Sequence, residues 1–92
     1  NDKERMGIET IEVIQKTEEA FGITLPDEDM AEMGIVGDFC VYVANKVNIE
    51  TDREVEMEDV HKFVIKMLQD DYDIPKEHVT LKAHFVHDIG LD

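Results

Sequence analysis

An all-α bundle, with three long helices, one short helix and a long ordered loop, is the fold that this 92-residue sequence predicts. Three observations carry that expectation. Apolar residues recur at three- and four-residue spacing in three separate stretches. Gly22 and Gly34 stand where the first and second of the resulting helices must stop. Residues 73–92 hold apolar anchors without a helical period, which suits a loop packed against a core.

The first helix is expected from Ile8, with Ile8, Ile11, Ile14 and Phe21 on its inner face. Thr17 interrupts that stripe, and Val13 lies off it, at a position expected to be exposed. Glu9, Glu12, Glu18 and Glu19 form an acidic outer side relieved only by Lys16. Glu9 and Glu12 also fall early in the helix, where carboxylates suit the positive end of its dipole. Before it, residues 1–6 are charged and read as a frayed end.

Gly22 can adopt the left-handed conformation that closes a helix, and residues 23–26 then cross in extended form toward Pro26. A short helix is expected over residues 27–33, favoured at its start by Asp27, Glu28 and Asp29 and stopped by Gly34. The next begins near Val36 or Gly37, with Phe39, Cys40, Val43 and Val47 facing inward. Residues 48–58 are poor in apolar content and read as a surface linker that merges into the following helix. That helix, over about residues 57–71, is the clearest in the chain. Val60, Phe63, Val64, Met67 and Leu68 follow the i, i+3, i+4, i+7, i+8 template without a miss. In the final loop Ile74, Val79, Leu81, Phe85, Ile89 and Leu91 are the anchors, with a single turn at Pro75, Lys76 and Glu77.

A chain of this length makes one domain with a thin core and no room for a deep catalytic cavity. Its net charge of -14 repels nucleic acid and anionic membranes and attracts basic protein surfaces. Cys40 is alone, which rules out an internal disulfide framework and suits a reducing compartment. No apolar run approaches the roughly 20 residues of a membrane span, and no signal-peptide core is evident. A soluble protein of the cytoplasm or an organellar matrix is expected. The chain opens on Asn1, which is compatible with a longer precursor.

No constellation points to catalysis or to a metal. His84 and His87 are three apart and followed by Asp88, but they sit in a loop without further donors, so packing and exposure account for them better than metal binding. The acidic runs 27–29 and 70–73 lack the alternating carboxylates, central glycine and closing glutamate of a calcium loop. No phosphate-binding glycine loop is present. The sequence contains no serine at all, which excludes a serine triad. Cys40 reads as a small core residue, since nothing near it would lower its pKa. A binding or carrier module is expected, not an enzyme.

Two segments resemble the acyl carrier proteins. IETIEVIQKTEEAFGITLPDEDMAEMGIVGDFCVYV is similar to the family's second to fourth helices, with Glu-Glu-x-Phe closing the second, Leu-Pro-Asp-Glu entering the short third and a late tyrosine in the fourth. VHKFVIKMLQDDYDIPKEHVTLKAHFVHDIGLD is similar to the family's first helix and long loop, most specifically in Ile-Pro-x-x-x-Val-Thr and Phe-Val-x-Asp-Ile-Gly-Leu-Asp. The order is reversed here. Residues 1–47 correspond to family helices two to four, 48–58 to a linker, and 59–92 to helix one and the loop. The resemblance therefore implies a circular permutation of a single acyl-carrier-like four-helix bundle. About ten extended residues reach roughly 33 Å, enough to join the family's usual ends.

Family members carry 4′-phosphopantetheine on the serine of Asp-Ser-Leu. Asp92 matches the aspartate and Ile8 the leucine, while Gly7 stands at the serine position, so the resemblance implies a cofactor for which this chain has no hydroxyl at the attachment position. It further implies a role in fatty-acid, polyketide or related acyl transfer. Glu9, Glu12, Glu18 and Glu19 would dock basic surfaces of acyl-transfer enzymes or of a phosphopantetheinyl transferase, and cargo would lie near Ile14, Phe39 and Phe63. Two other readings are a non-chargeable structural or regulatory interaction module and a segment spanning two tandem carriers. A monomer or a domain-swapped oligomer is compatible with the sequence, and the tandem-carrier reading predicts the domain-swapped form in place of a closed monomer.

Overall fold

The computed structural model describes residues 7–92, and the frayed end expected over residues 1–6 lies outside them. Among the described residues the chain forms four α-helices: α1 (Ile8–Phe21), α2 (Asp27–Met30), α3 (Val36–Glu50) and α4 (Met57–Tyr72). A single 3-10 turn, Lys76–His78, follows, and a lone bridge between Ile35 and His84 is the only β pairing described. The Cα radius of gyration is 12.2 Å.

The centre is the seam between α3 and α4. Val36, Val43 and Val47 from one, and Val60, Val64 and Leu68 from the other, are fully buried. Each contributes about 1.5–3 kcal/mol relative to exposure. Cys40 lies in the same seam. Thr17 of α1 is buried beside them, and its hydroxyl donates to the Val13 carbonyl at 2.7 Å, so the position that interrupts the apolar stripe is a satisfied core residue.

Several boundaries and faces differ from the sequence expectation. On α1, Val13 is buried and Ile8 is 74% exposed, so the inner face is Val13, Ile14, Thr17 and Phe21, with Ile8 in a first turn that projects past the core. The second helix is four residues long and relaxes into turns after Met30, short of the 27–33 expected. Helix α3 continues to Glu50, beyond the start of the expected linker at residue 48. Within that linker Val55 is buried, and Asn48 holds it as a second backbone would, accepting from the Val55 N–H at 2.7 Å and donating to its carbonyl at 3.0 Å. In the final loop Leu81 is exposed, while Ala83, not expected as an anchor, is buried.

The helix ends explain how the loop is placed. Helix α4 closes itself: the Glu56 N–H donates to Asp59 Oδ2 at 3.0 Å, and Asp73 takes a left-handed φ of 57° at the other end. Helices α1 and α3 have no side-chain cap at their N-termini. Their orphan N–H groups are met by the C-terminal loop instead, with Val36 donating to Ala83 O at 2.9 Å, Gly37 to Leu81 O at 2.8 Å and Thr10 to Asp92 O at 3.0 Å. Phe85 N–H returns a bond to Gly34 O at 2.8 Å, and the His84 ring packs so close to Gly34 that a Cβ there would displace it. Residues 81–92 are therefore a strap over two helix starts.

Candidate functional site

Where the strap meets α1, Asp92 sits against the first helical turn. Its carbonyl accepts from both the N–H and the hydroxyl of Thr10, and its N–H donates to Glu9 Oε1 at 3.0 Å. Gly7 is so close that a Cβ there would collide with the Asp92 carbonyl carbon. The chain thus brings together Gly7 and Asp92, which lie 85 positions apart in sequence, at the N-terminal end of α1.

Beneath this junction is an apolar cleft lined by Val13, Ile14, Met30, Phe39, Phe85 and Leu91. Phe39 and Phe85 meet edge to face with centroids 5.5 Å apart. The space inside is only about 10 Å³, at the limit for a single water, so the cleft is tightly packed. A surface basin of about 250 Å³ overlies it and shares Thr10, Met30, Met33 and Phe85 with it. Two methionines, Met30 and Met33, therefore stand between basin and cleft.

Of the three residues expected near a cargo, Ile14 and Phe39 line this cleft. Phe63 does not. It stacks edge to face on Phe21 at 5.3 Å and borders a separate groove of about 480 Å³ between α1 and α4, with Lys16, Glu19, Asp70 and Asp71 around it.

The acidic side of α1 is less open than its sequence suggests. Glu9 is engaged by Asp92. Glu12 accepts from the Tyr72 hydroxyl at 2.7 Å, and Glu18 accepts from the Leu25 N–H at 2.7 Å while its carbonyl takes the N–H groups of Gly22 and Ile23. Of the four, Glu19 alone is exposed. Desolvation, and then the bond to Glu12, push the Tyr72 hydroxyl well above its ordinary pKa. Lys16 bridges the same seam, pairing with Asp71 at 2.8 Å and lying over the Tyr72 ring. Tyr72, Thr10 and Met33 carry no motif in the sequence, and only folding brings them to α1.

The remaining candidates resolve into packing. Burial pushes the Cys40 thiol up to about 12, which leaves it inert at neutral pH. The His84 and His87 rings lie 4.2 Å apart, and His84 Nδ1 accepts from the Val86 and His87 N–H groups at 3.1 Å, so that nitrogen shapes the strap. No group of three or more metal-ligating side chains is assembled among the described residues. The acidic runs are likewise engaged locally: Asp29 accepts from Tyr42 at 2.6 Å and Asp70 pairs with Lys66 at 2.9 Å. No helix of the described residues is long and apolar enough to cross a membrane.

Comparison with family models, curated proteins and solved structures returns no match. The geometry therefore stands by itself.

It also answers whether 4′-phosphopantetheine suits this chain. A phosphodiester needs a hydroxyl at the junction; Gly7 has none, and the Thr10 hydroxyl is committed to the Asp92 carbonyl. The group does not fit as a covalent attachment here.

Proposed function

We propose that the chain is an acyl-carrier-like bundle in permuted order, serving acyl-transfer pathways as a docking domain for basic partner enzymes. The observation that carries this reading is the seating of Asp92 on the first turn of α1. The segments that resemble the family's loop and second helix are broken in sequence but adjoin in space, with Asp92, Gly7 and Ile8 in the order of the family's Asp-Ser-Leu. The apolar lining of the cleft under that junction, with methionines at its entrance, supports the same reading, because an acyl chain would need an apolar hollow there.

The test restores the order. In a variant where Asp92 is followed by serine and joined to Ile8, with new ends opened between residues 51 and 54, incubation with a phosphopantetheinyl transferase and coenzyme A should add the mass of the prosthetic group. The original chain should stay unmodified. A folded, order-restored variant that gains no mass would sink the carrier reading.

A second reading, a non-chargeable interaction module with the same bundle, is favoured by Gly7 itself and by the tightness of the cleft. It keeps the fold and the docking role and dispenses with cargo. Partner binding that persists in the original chain, with no dependence on any prosthetic group, distinguishes it.

A further inference from the structure

A second apolar hollow lies on the far side of α4 from the α1 seam, where the loop after the 3-10 turn runs back along the helix. It is a shallow groove of about 660 Å³ lined by His61 and Ile65 of α4 and by Lys76, Glu77, Val79, Thr80, Leu81 and Lys82 of the loop. Its walls are held in place. His61 Nε2 and the Val79 carbonyl are 2.6 Å apart, the Val79 N–H donates to Lys76 O at 3.0 Å, and the Leu81 carbonyl is fixed by Gly37 at 2.8 Å. Leu81, 36% exposed, thus remains at the surface on a backbone hydrogen-bonded to the start of α3.

Charge makes the groove unusual in this protein. With 23 carboxylates against nine lysines and arginines, a base should readily find an acid. Lys16, Lys46 and Lys66 do, pairing with Asp71, Glu50 and Asp70. Arg53 lies over the Phe21 ring and reaches the Ala20 carbonyl. Among the described residues, the bases left with neither an ion pair nor another side-chain engagement are Lys62, Lys76 and Lys82, all exposed: Lys76 and Lys82 line the groove, and Lys62 follows His61 on α4. Glu77 is the only carboxylate in the lining.

We propose that this groove docks an acidic peptide segment carrying aliphatic side chains on one face. Ile65, Val79, Leu81 and the lysine stems would cover the aliphatic face, and the Lys76 and Lys82 ammonium groups would meet its carboxylates. The repulsion from the rest of the acidic chain is screened beyond about 8 Å at physiological ionic strength, whereas contacts within the groove fall inside that range.

The experiment uses a fluorescein-labelled helical peptide of glutamate and leucine, titrated with the whole chain and followed by polarisation and by amide chemical shifts. Saturable binding with shifts centred on His61, Ile65 and Leu81 is expected, and a lysine–leucine peptide should not produce them. Replacing Lys76→Gln and Lys82→Gln together should weaken binding about tenfold or more, equivalent to about 1.4 kcal/mol. Gln15→Glu with Asn45→Glu changes net charge by the same amount at exposed sites elsewhere and should leave binding nearly unchanged. Equal loss in both pairs would reduce the effect to overall charge and overturn the proposal. So would shifts mapping to the α1–α4 groove, or no binding. Self-association abolished by the lysine substitutions, without peptide binding, would make a second copy the occupant and also overturn it.

Discussion

The acidic side of α1 and the basic rim of the α4 groove behave oppositely to what the net charge suggests. Carboxylates are in excess, yet Glu9, Glu12 and Glu18 are each tied to a donor within the chain. Lysines are scarce, yet Lys62, Lys76 and Lys82 reach no carboxylate. The lesson is that charge count and charge availability are separate properties. A glutamate near a helix end or turn is easily drawn into capping backbone donors, whereas a lysine has no such local use at a rim lined by aliphatic groups.

The largest expected effect that tests this contrast is at Glu18. Its carboxylate takes the Leu25 N–H in a partly buried turn where Ile23 and Leu25 are both buried, so Glu18→Ala strands that donor. The expected loss is about 1–3 kcal/mol by urea unfolding, with Glu18→Gln recovering most of it because an amide oxygen still accepts. If Glu18→Ala left stability unchanged while weakening partner binding, Glu18 would be a docking residue and the contrast would fail at its strongest point.

Next comes the alkaline limb. Cys40 and Tyr72 both have pKa values raised in the folded state, by burial for the thiol, and by desolvation and then the Glu12 bond for the phenol. Each favours the protonated form, so the unfolded chain binds fewer protons above its own pKa, and stability falls as pH rises. The stabilisation is fully present below about pH 9 for Cys40 and about pH 10 for Tyr72. Above about pH 9, Cys40 should contribute a decline of about 1.4 kcal/mol per pH unit toward its folded value of about 12. Urea midpoints from pH 8 to 11 should show that slope flattened in Cys40→Ala. In Tyr72→Phe the slope should change only above about pH 10, with about 1 kcal/mol lost at neutral pH from the missing bond to Glu12.

Much of the helical framework was legible. The template in Val60 to Leu68 and the stop at Gly22 needed no tertiary knowledge, and the structure has α4 over Met57–Tyr72 and Gly22 at φ 68°. The phase of α1 was not legible, because Ile8, Ile11, Val13 and Ile14 offer overlapping stripes and only packing against α3 and α4 selects Val13 over Ile8. Capping at α1 and α3 was equally hidden. Gly7 and Ile35 have no capping side chains, and the carbonyls of Leu81, Ala83 and Asp92 that serve instead are remote in sequence. Gly7 and Asp92 could be singled out only through the resemblance, and the engagement of the glutamates depends on partners such as Tyr72 that no local pattern pairs with them.

The smallest expected effect is on the basic rim, and its smallness is what matters. Lys76→Gln and Lys82→Gln remove exposed ammonium groups that bond to nothing described, so each should change unfolding free energy by no more than about 0.5 kcal/mol. Lys16→Gln is the comparison, because it removes a pair with Asp71 and a contact over Tyr72 and should cost about 0.2–1 kcal/mol. Measured side by side in urea, the rim lysines should be the more silent. A loss of more than about 1 kcal/mol at Lys76 or Lys82 would mean that they support the loop. Their lack of an ion pair would then no longer signal a surface kept for a partner. If stability holds while peptide binding falls, these lysines act outside the fold that carries them.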